Sequence, residues 1–248
     1  MNTTLMNGMH LLQVLADAPC PHSISDLSRE TGLPKSHTHR LLQTLVENQY
    51  VEKDDHRRYA IGVGALRLGH ALLKDIPMRR RFLPKMVALA KEVELPVTLA
   101  IPFGSQAISV AHVFHDGNIR HSSETLGTIL PARSSALGKL FLAYQSPDAM
   151  TEILSQLEYS PKGPGVHRNA DSLREDLLAI RKRGYSINNQ ESGKGHASLA
   201  APIFSASGTL SAGIGLSGHR EQILENRLQS HLSHLSKFNE TPTNEHVS

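Results

Sequence analysis

The densest group of hydrogen-bonding side chains in this sequence is Lys35, Ser36, His37, His39, Arg40 and Thr44. Short or forked donors of this kind reach base edges and phosphates when the end of a helix enters the DNA major groove. Thr38, Leu41, Leu42 and Leu45 run among them at i, i+3, i+4 and i+7. That spacing predicts a helix from about residue 34 to 48 with one buried stripe, with Ser36, His39 and Arg40 on the opposite side and Lys35, His37 and Thr44 on the shoulders. Arg40 is the strongest candidate for base-edge contact, with Ser36 and His37 beside it, and Lys35 suits a phosphate. The competing reading is an ordinary helical hairpin with a solvated polar face.

A second pair, Arg57 and Arg58, follows the polar turn Asp54-Asp55-His56. Tyr50-Val51-Glu52-Lys53 before the turn and Tyr59-Ala60-Ile61 after it have strand composition, so the segment reads as a hairpin. A hairpin directly after a recognition helix is a wing, and its arginines can touch backbone phosphates or the minor groove. Two solvated arginines on a surface hairpin are the plainer alternative.

Other reactive groups organise less well. His112, His115 and His121 cluster in sequence, and His231 and His234 are three apart, but neither set includes a cysteine or the glutamate partner of a zinc helix. Ser134-Ser135 before Gly138-Lys139 can mimic a nucleophile with a lysine base, yet a turn feeding a helix explains it without chemistry. No Gly-x-Ser-x-Gly elbow or Gly-x-x-x-x-Gly-Lys loop occurs. The expectation is no enzyme, no cofactor and no metal site.

The candidate DNA-reading residues need elements to hold them. A helix over 7–16, with Met9, Leu12, Leu15 and Ala16 facing inward, precedes the stretch 23–48. There, Ser25 is a candidate cap for a first helix, Gly32 ends it in the left-handed conformation, and Pro34 opens the second. Together these make a helix-turn-helix with a wing. Residues 64–83 read as a mostly helical linker interrupted at Pro77. Arg79-Arg80-Arg81 in it can touch DNA or only keep the linker soluble.

Length allows two domains at 248 residues, and 39% hydrophobic with 20% charged residues suits a globular chain. Residues 1–83 hold 11 Lys+Arg against 8 Asp+Glu, while the remainder holds 15 of each. The whole excess of +3 therefore lies with the helix-turn-helix, as a nucleic-acid-binding head would require. No apolar run is long enough to cross a bilayer, the N-terminus lacks signal-peptide features, and one cysteine, Cys20, excludes an internal disulfide. A cytoplasmic location is expected.

Beyond the linker, a helix over 85–94 precedes strand-like runs at 97–103, 107–114 and 119–122, with turns at Gly104-Ser105 and Asp116-Gly117-Asn118. Helices follow at 135–144, 149–157 and 172–183, then strands at 185–188, 197–204 and 210–217, and a last helix over 220–238. This order predicts an α+β domain with a mostly antiparallel sheet.

The string GLPKSHTHRLLQTLVENQYVEKD, followed by RRYAIG, resembles the winged helix of the IclR family of bacterial transcription regulators, with Ser28 where alanine is usual. LPARSSALGKLFLAY, GYSINNQESGKGHASLAAPIF and GTLSAGIGLSG extend that resemblance across nearly the whole chain. It implies an α+β protein with a winged helix-turn-helix over 1–63, a linker helix over 64–83, a GAF-like effector domain over 84–238 and a flexible tail over 239–248. It also implies a double-stranded DNA operator, a small-molecule effector and a homodimer, with pairing into a homotetramer left open. Arg133, Ala136, Leu137, Asn188, Ser198, Gly215 and Ser217 match the family's effector-facing positions. Four depart from the usual residues: Arg133 for histidine, Asn188 for aspartate, Ser198 for cysteine and Gly215 for serine. Loss of the acid and gain of a guanidinium point to an anionic effector, a small carboxylic acid held by Arg133. The alternative is a metabolite- or metal-binding sensor with a vestigial DNA head.

Overall fold

The computed structural model describes residues 2–104, 106–116, 126–159 and 163–239, the Lys74 side chain excepted. The chain divides into two compact units, residues 1–76 and 77–248.

The first unit contains α1 (Thr3–Asp17), α2 (Ile24–Thr31), α3 (Lys35–Glu47), β1 (Val51–Lys53), β2 (Tyr59–Ile61) and α4 (Gly64–Asp75). Leu11, Leu15, Leu27, Leu41, Leu42, Val51 and Tyr59 form its core. Thr38, Leu41 and Leu42 are buried and Leu45 is partly buried, as the stripe required. Gly32 ends α2 at φ 69°, in the left-handed region.

Three local expectations are corrected here. The cap of α2 is Ser23, not Ser25: its backbone is extended and its hydroxyl accepts the Asp26 N–H at 3.2 Å, leaving Ser25 inside the helix. Helix α1 begins at Thr3 rather than residue 7, because Asn2 Oδ1 accepts the Leu5 N–H at 3.1 Å. Its buried face is Leu11 and Leu15 with Leu12 beside them, while Met9 and Ala16 point to solvent. Gly8 lies near α3 on this side, where an added Cβ would stand 3.9 Å from Leu41.

The second unit contains α5 (Pro77–Val93), β3 (Val97–Phe103), β4 (Gln106–Val113), β5 (Ile129–Leu130), α6 (Ala136–Ala143), α7 (Pro147–Gln156), α8 (Ala170–Arg183), β6 (Ser186–Asn189), β7 (His196–Phe204), β8 (Leu210–His219), α9 (Arg220–Leu224) and α10 (Leu228–Ser236). Among the described residues its six strands form one sheet in the order β5-β4-β3-β8-β7-β6, with every neighbouring pair antiparallel. Every residue of α6 is buried against this sheet and α8. Glycine permits that approach: a Cβ at Gly213 would lie 2.9 Å from Leu137 and 3.1 Å from Phe141.

The expected break between a linker helix and a helix over 85–94 is absent. Helix α5 starts at Pro77, after Ile76 takes the extended conformation that a following proline favours. It then runs through Pro84, with Phe82 and Met86 buried on either side of the lost hydrogen bond. The single last helix is also corrected, since Glu225 is extended and Asn226 left-handed (φ 53°) between α9 and α10. The strand expected at 119–122 and the tail after residue 239 lie outside the described residues. Among the described residues no helix is long and apolar enough to cross a membrane.

Candidate DNA-reading face and effector cavity

On α3, Lys35, Ser36, His39 and Arg40 are exposed and engage no other described side chain, so their polar ends are open to a ligand. His37 differs: its Nε2 lies 3.3 Å from Asn7 Nδ2 on α1, and the ring is half-buried. Thr44 Oγ1 donates back to the Arg40 carbonyl at 3.2 Å. In the hairpin, Arg58 is held by Asp54, with its Nε 2.9 Å from Oδ2 and its backbone N–H donating to Oδ1. Arg57 stands free at the tip with φ 58°, a backbone region where glycine is favoured. The hairpin is seated by Tyr59, which exchanges backbone hydrogen bonds with His22 at 2.8 and 2.9 Å and buries its ring in the core.

In the second unit, a cavity of about 260 Å³ opens between the N-terminus of α6 and the sheet. Six of the seven positions expected to face an effector line it: Ala136, Leu137, Asn188, Ser198, Gly215 and Ser217. Strand register explains the gathering, because Asn188 pairs with Ser198, Ser198 with Ser217, and Gly215 with Thr98. Thr98, Ser134, Ser135, Ser192 and His196 complete the polar lining; the sequence marks none of them as facing an effector, and Ser134 and Ser135 only as mimics of a nucleophile. Alternation would have found His196, two residues before Ser198 on the same strand face.

Arg133 is the exception. It is buried, yet it does not line the cavity; its guanidinium sits 5.8 Å from the centre of the Tyr159 ring, and Nη1 has no hydrogen-bond partner. A turn over 131–134 precedes α6, and consecutive residues in it cannot all face one way. Ser134 and Ser135 therefore meet the cavity while Arg133 points elsewhere. Ser135 caps α6, accepting the Gly138 N–H at 2.9 Å, and among the described residues the amides of Ala136 and Leu137, two residues that line the cavity, meet no acceptor.

Behind the cavity lies a buried ionic cluster. Lys139 Nζ donates to Asp176 Oδ2 at 2.6 Å and to Glu191 Oε1 at 2.5 Å. His167 Nε2 is 3.3 Å and Arg183 Nη2 3.2 Å from the Asp176 carboxylate. Burial alone would raise the pKa of Asp176, but hydrogen bonds from His167 and Lys139 and the charges of Lys139 and Arg183 hold it well below the usual carboxylate range. For Glu191, burial outweighs Lys139 and pushes the pKa up, in keeping with an Oε2 that has no partner. Ligand atoms of His167, Asp176 and Glu191 lie within 4.8 Å of one another, a spacing that suits a metal ion. The Lys139 ammonium already stands between the two carboxylates, so a second cation would meet it unscreened. Lys139 is thus an ion-pair partner rather than a base for Ser134 or Ser135.

The histidines considered for metal binding are dispersed. His112 Nδ1 is 2.8 Å from Thr98 Oγ1, His231 Nε2 is 3.0 Å from the Gln222 carbonyl, and His234 is 3.6 Å from Glu92. His115 borders a separate hollow, and His121 lies outside the described residues.

A winged helix-turn-helix with an open cationic helix face, joined in one chain to an antiparallel sheet domain with a small-molecule-sized cavity, defines a transcriptional regulator. Residues 4–55 match the IclR helix-turn-helix domain, and residues 70–243 match the C-terminal domain of bacterial transcriptional regulator IclR. The chain is 32% identical over 221 residues to the glycerol operon regulatory protein of Streptomyces coelicolor, covering 89% of this chain and 86% of that one. An IclR family transcriptional regulator from Brucella abortus superposes with a TM-score of 0.82 at 24% identity, covering 96% of this chain and 90% of the other. An IclR homolog from Microbacterium hydrocarbonoxydans, solved in complex with 4-hydroxybenzoate, shares the fold at TM-score 0.71 and 21% identity, with 96% of each chain covered. The chain belongs to the IclR family of bacterial transcriptional regulators.

Proposed function

We propose that this regulator binds its operator through the N-terminal half of α3 and the wing, and that a small organic acid in the cavity beside α6 controls that binding. Arg40 and Ser36 make base-edge contacts, and His39 and Thr44 flank them. Lys35 and Arg57 bind phosphates. Arg58 joins them by exchanging Asp54 for a phosphate, and His37 contributes less because Asn7 holds it. One helix-turn-helix covers little DNA, so a cytoplasmic homodimer reading two half-sites is the working form, with assembly into a dimer of dimers open to it. The exposed Leu66, Leu68 and Leu72 of α4 suit such pairing.

The observation that carries the effector reading is that Ala136 and Leu137, whose amides meet no acceptor among the described residues, both line a cavity whose described lining holds no Lys, Arg, Asp or Glu. A helix N-terminus favours an anion, and the surrounding hydroxyls supply the remaining donors. The carboxylate is therefore assigned to the start of α6 instead of to Arg133. That a homolog holds 4-hydroxybenzoate, itself a carboxylate, supports this class of ligand.

Calorimetric titration of small carboxylates against their amides tests the reading, alongside footprinting of the DNA upstream of the protein's own gene. Carboxylates should bind and shift operator affinity, since a ligand controls DNA binding only through unequal affinity for the two states. Binding of the amides alone would sink the organic-acid assignment. No protected site at moderate salt, with or without ligand, would favour a sensor whose DNA head is vestigial.

A further inference from the structure

The cavity wall formed by β6, β7 and the loop between them is a hydrogen-bond chain whose direction is set by one backbone group. The Glu191 N–H donates to Asn188 Oδ1 at 2.9 Å. Only the amide oxygen can accept there, so the Asn188 NH₂ is the group that meets Ser192 Oγ at 3.0 Å, as donor. Ser192 Oγ in turn lies 3.1 Å from His196 Nδ1. The hydroxyl accepts from Asn188, and its hydrogen has no other acceptor among the described residues; it donates to Nδ1. An accepting Nδ1 places the ring hydrogen on Nε2. His196 keeps much of its surface exposed, and partial desolvation, with His219 nearby, lowers its pKa in the direction that favours this neutral form.

We infer that His196 is a specificity-determining donor of the effector cavity, whose Nε2–H, fixed by Asn188 and Ser192, selects a ligand presenting an acceptor oxygen on the β7 side. The inference rests on the proposed effector role of the cavity and sharpens it: the ligand carries an acceptor at each end, one for the α6 amides and one, a carbonyl or carboxylate oxygen, for His196. Residue 188 controls the sense of the chain. A carboxylate at this position has acceptors only, so in Asn188→Asp it would take the Ser192 hydrogen. Ser192 would then accept from His196 Nδ1–H, and Nε2 would become a bare acceptor suited to a ligand hydroxyl or amine.

The test is long-range ¹H–¹⁵N NMR of full-length protein with ¹⁵N-labelled histidine, the His196 signal being assigned by its loss in His196→Gln. The Nε2–H tautomer is expected in the wild type, the Nδ1–H tautomer in Asn188→Asp, and a mixture in Ser192→Ala, which breaks the chain without adding charge. A wild-type Nδ1–H form, or an unchanged tautomer in both variants, overturns the assignment. Titration with pyruvate, which carries a carboxylate and a separate carbonyl, should shift the His196 signal of the wild type, with affinity roughly tenfold weaker in His196→Phe for the loss of one hydrogen bond; acetate and acetone, with one acceptor end each, should bind more weakly than pyruvate. Shifts at the Ala136 and Leu137 amides without one at His196 refute the role of His196 and leave the effector reading standing. No shift at any cavity residue overturns both.

Discussion

The outward half of α3 and the cavity beside α6 are both recognition surfaces, built in opposite ways. On α3 the reading groups project from one continuous helix, and Lys35, Ser36, His39 and Arg40 are left free by their neighbours. In the cavity the polar groups are gathered from several strands and loops, and the donors and acceptors of Asn188, Ser192 and His196 are fixed by one another. Substitutions on the first surface should act one residue at a time. Substitutions around the second should spread along the ion pairs and hydrogen bonds that hold it.

The largest effect should come from Lys139→Met. It leaves Asp176 and Glu191 buried without their shared cation, and the second unit should lose about 3–5 kcal/mol. Calorimetry should show that unit melting earlier while the winged helix, which shares no part of the cluster, melts as before. A parallel fall in both transitions would erase the contrast.

Next is Arg40→Ala, which should cost about 1–3 kcal/mol of operator binding and relax sequence preference. Lys35→Ala should weaken all sequences alike and reduce the salt slope. Equal losses of specific and non-specific binding in both would show that α3 does not divide its labour as assigned.

The pH dependence of the second unit should have two parts. Glu191, whose pKa is raised, binds a proton more readily folded than unfolded, so stability should rise slightly as pH falls through its elevated range. Asp176, whose pKa is depressed, contributes stability that is complete above its ordinary value of 3.8 and is lost as pH falls below it. Thermal melts from pH 7 to pH 3 should therefore pass through a shallow maximum. A steady decline from neutrality would mean that Glu191 is not the strained partner.

The smallest effect belongs to the wing. Arg57→Gly relieves a left-handed arginine and should stabilise the hairpin by up to about 1 kcal/mol, while DNA affinity falls with the lost charge. If affinity is unchanged, Arg57 is only a turn residue.

How far the sequence could be read follows the same division. The stripe on α3, the Gly32 stop and the hairpin are encoded by residues within a few positions of one another, and they appear where spacing put them. The error over Ser25 arose because Ser23 and Ser25 are both credible caps, and only the seating of the helix in the core chooses between them. The exposure of Met9 is not legible locally, because only packing against α2 and α3 settles that Leu11 and Leu15 are the buried residues of α1. In the cavity, the sheet residues were legible through the family resemblance and strand alternation, but Arg133 was not, since a turn assigns no face to a residue. Lys139, Asp176 and Glu191 are far apart in sequence, and no period or spacing links them. The break at Asn226 is equally silent, because the flanking residues remain compatible with helix.

The adjacency of β3 and β8 at the centre of the sheet also bears on how the protein is made. Thr98 and Gly215 are partners across that seam, so the cavity has no wall until the last strand has been translated. The apolar core of the winged helix is drawn from the first 61 residues. On a ribosome, the half that reads DNA can thus reach its folded form while most of the ligand-sensing sheet is still unsynthesised. Each new molecule passes through an interval in which its reader exists without its sensor.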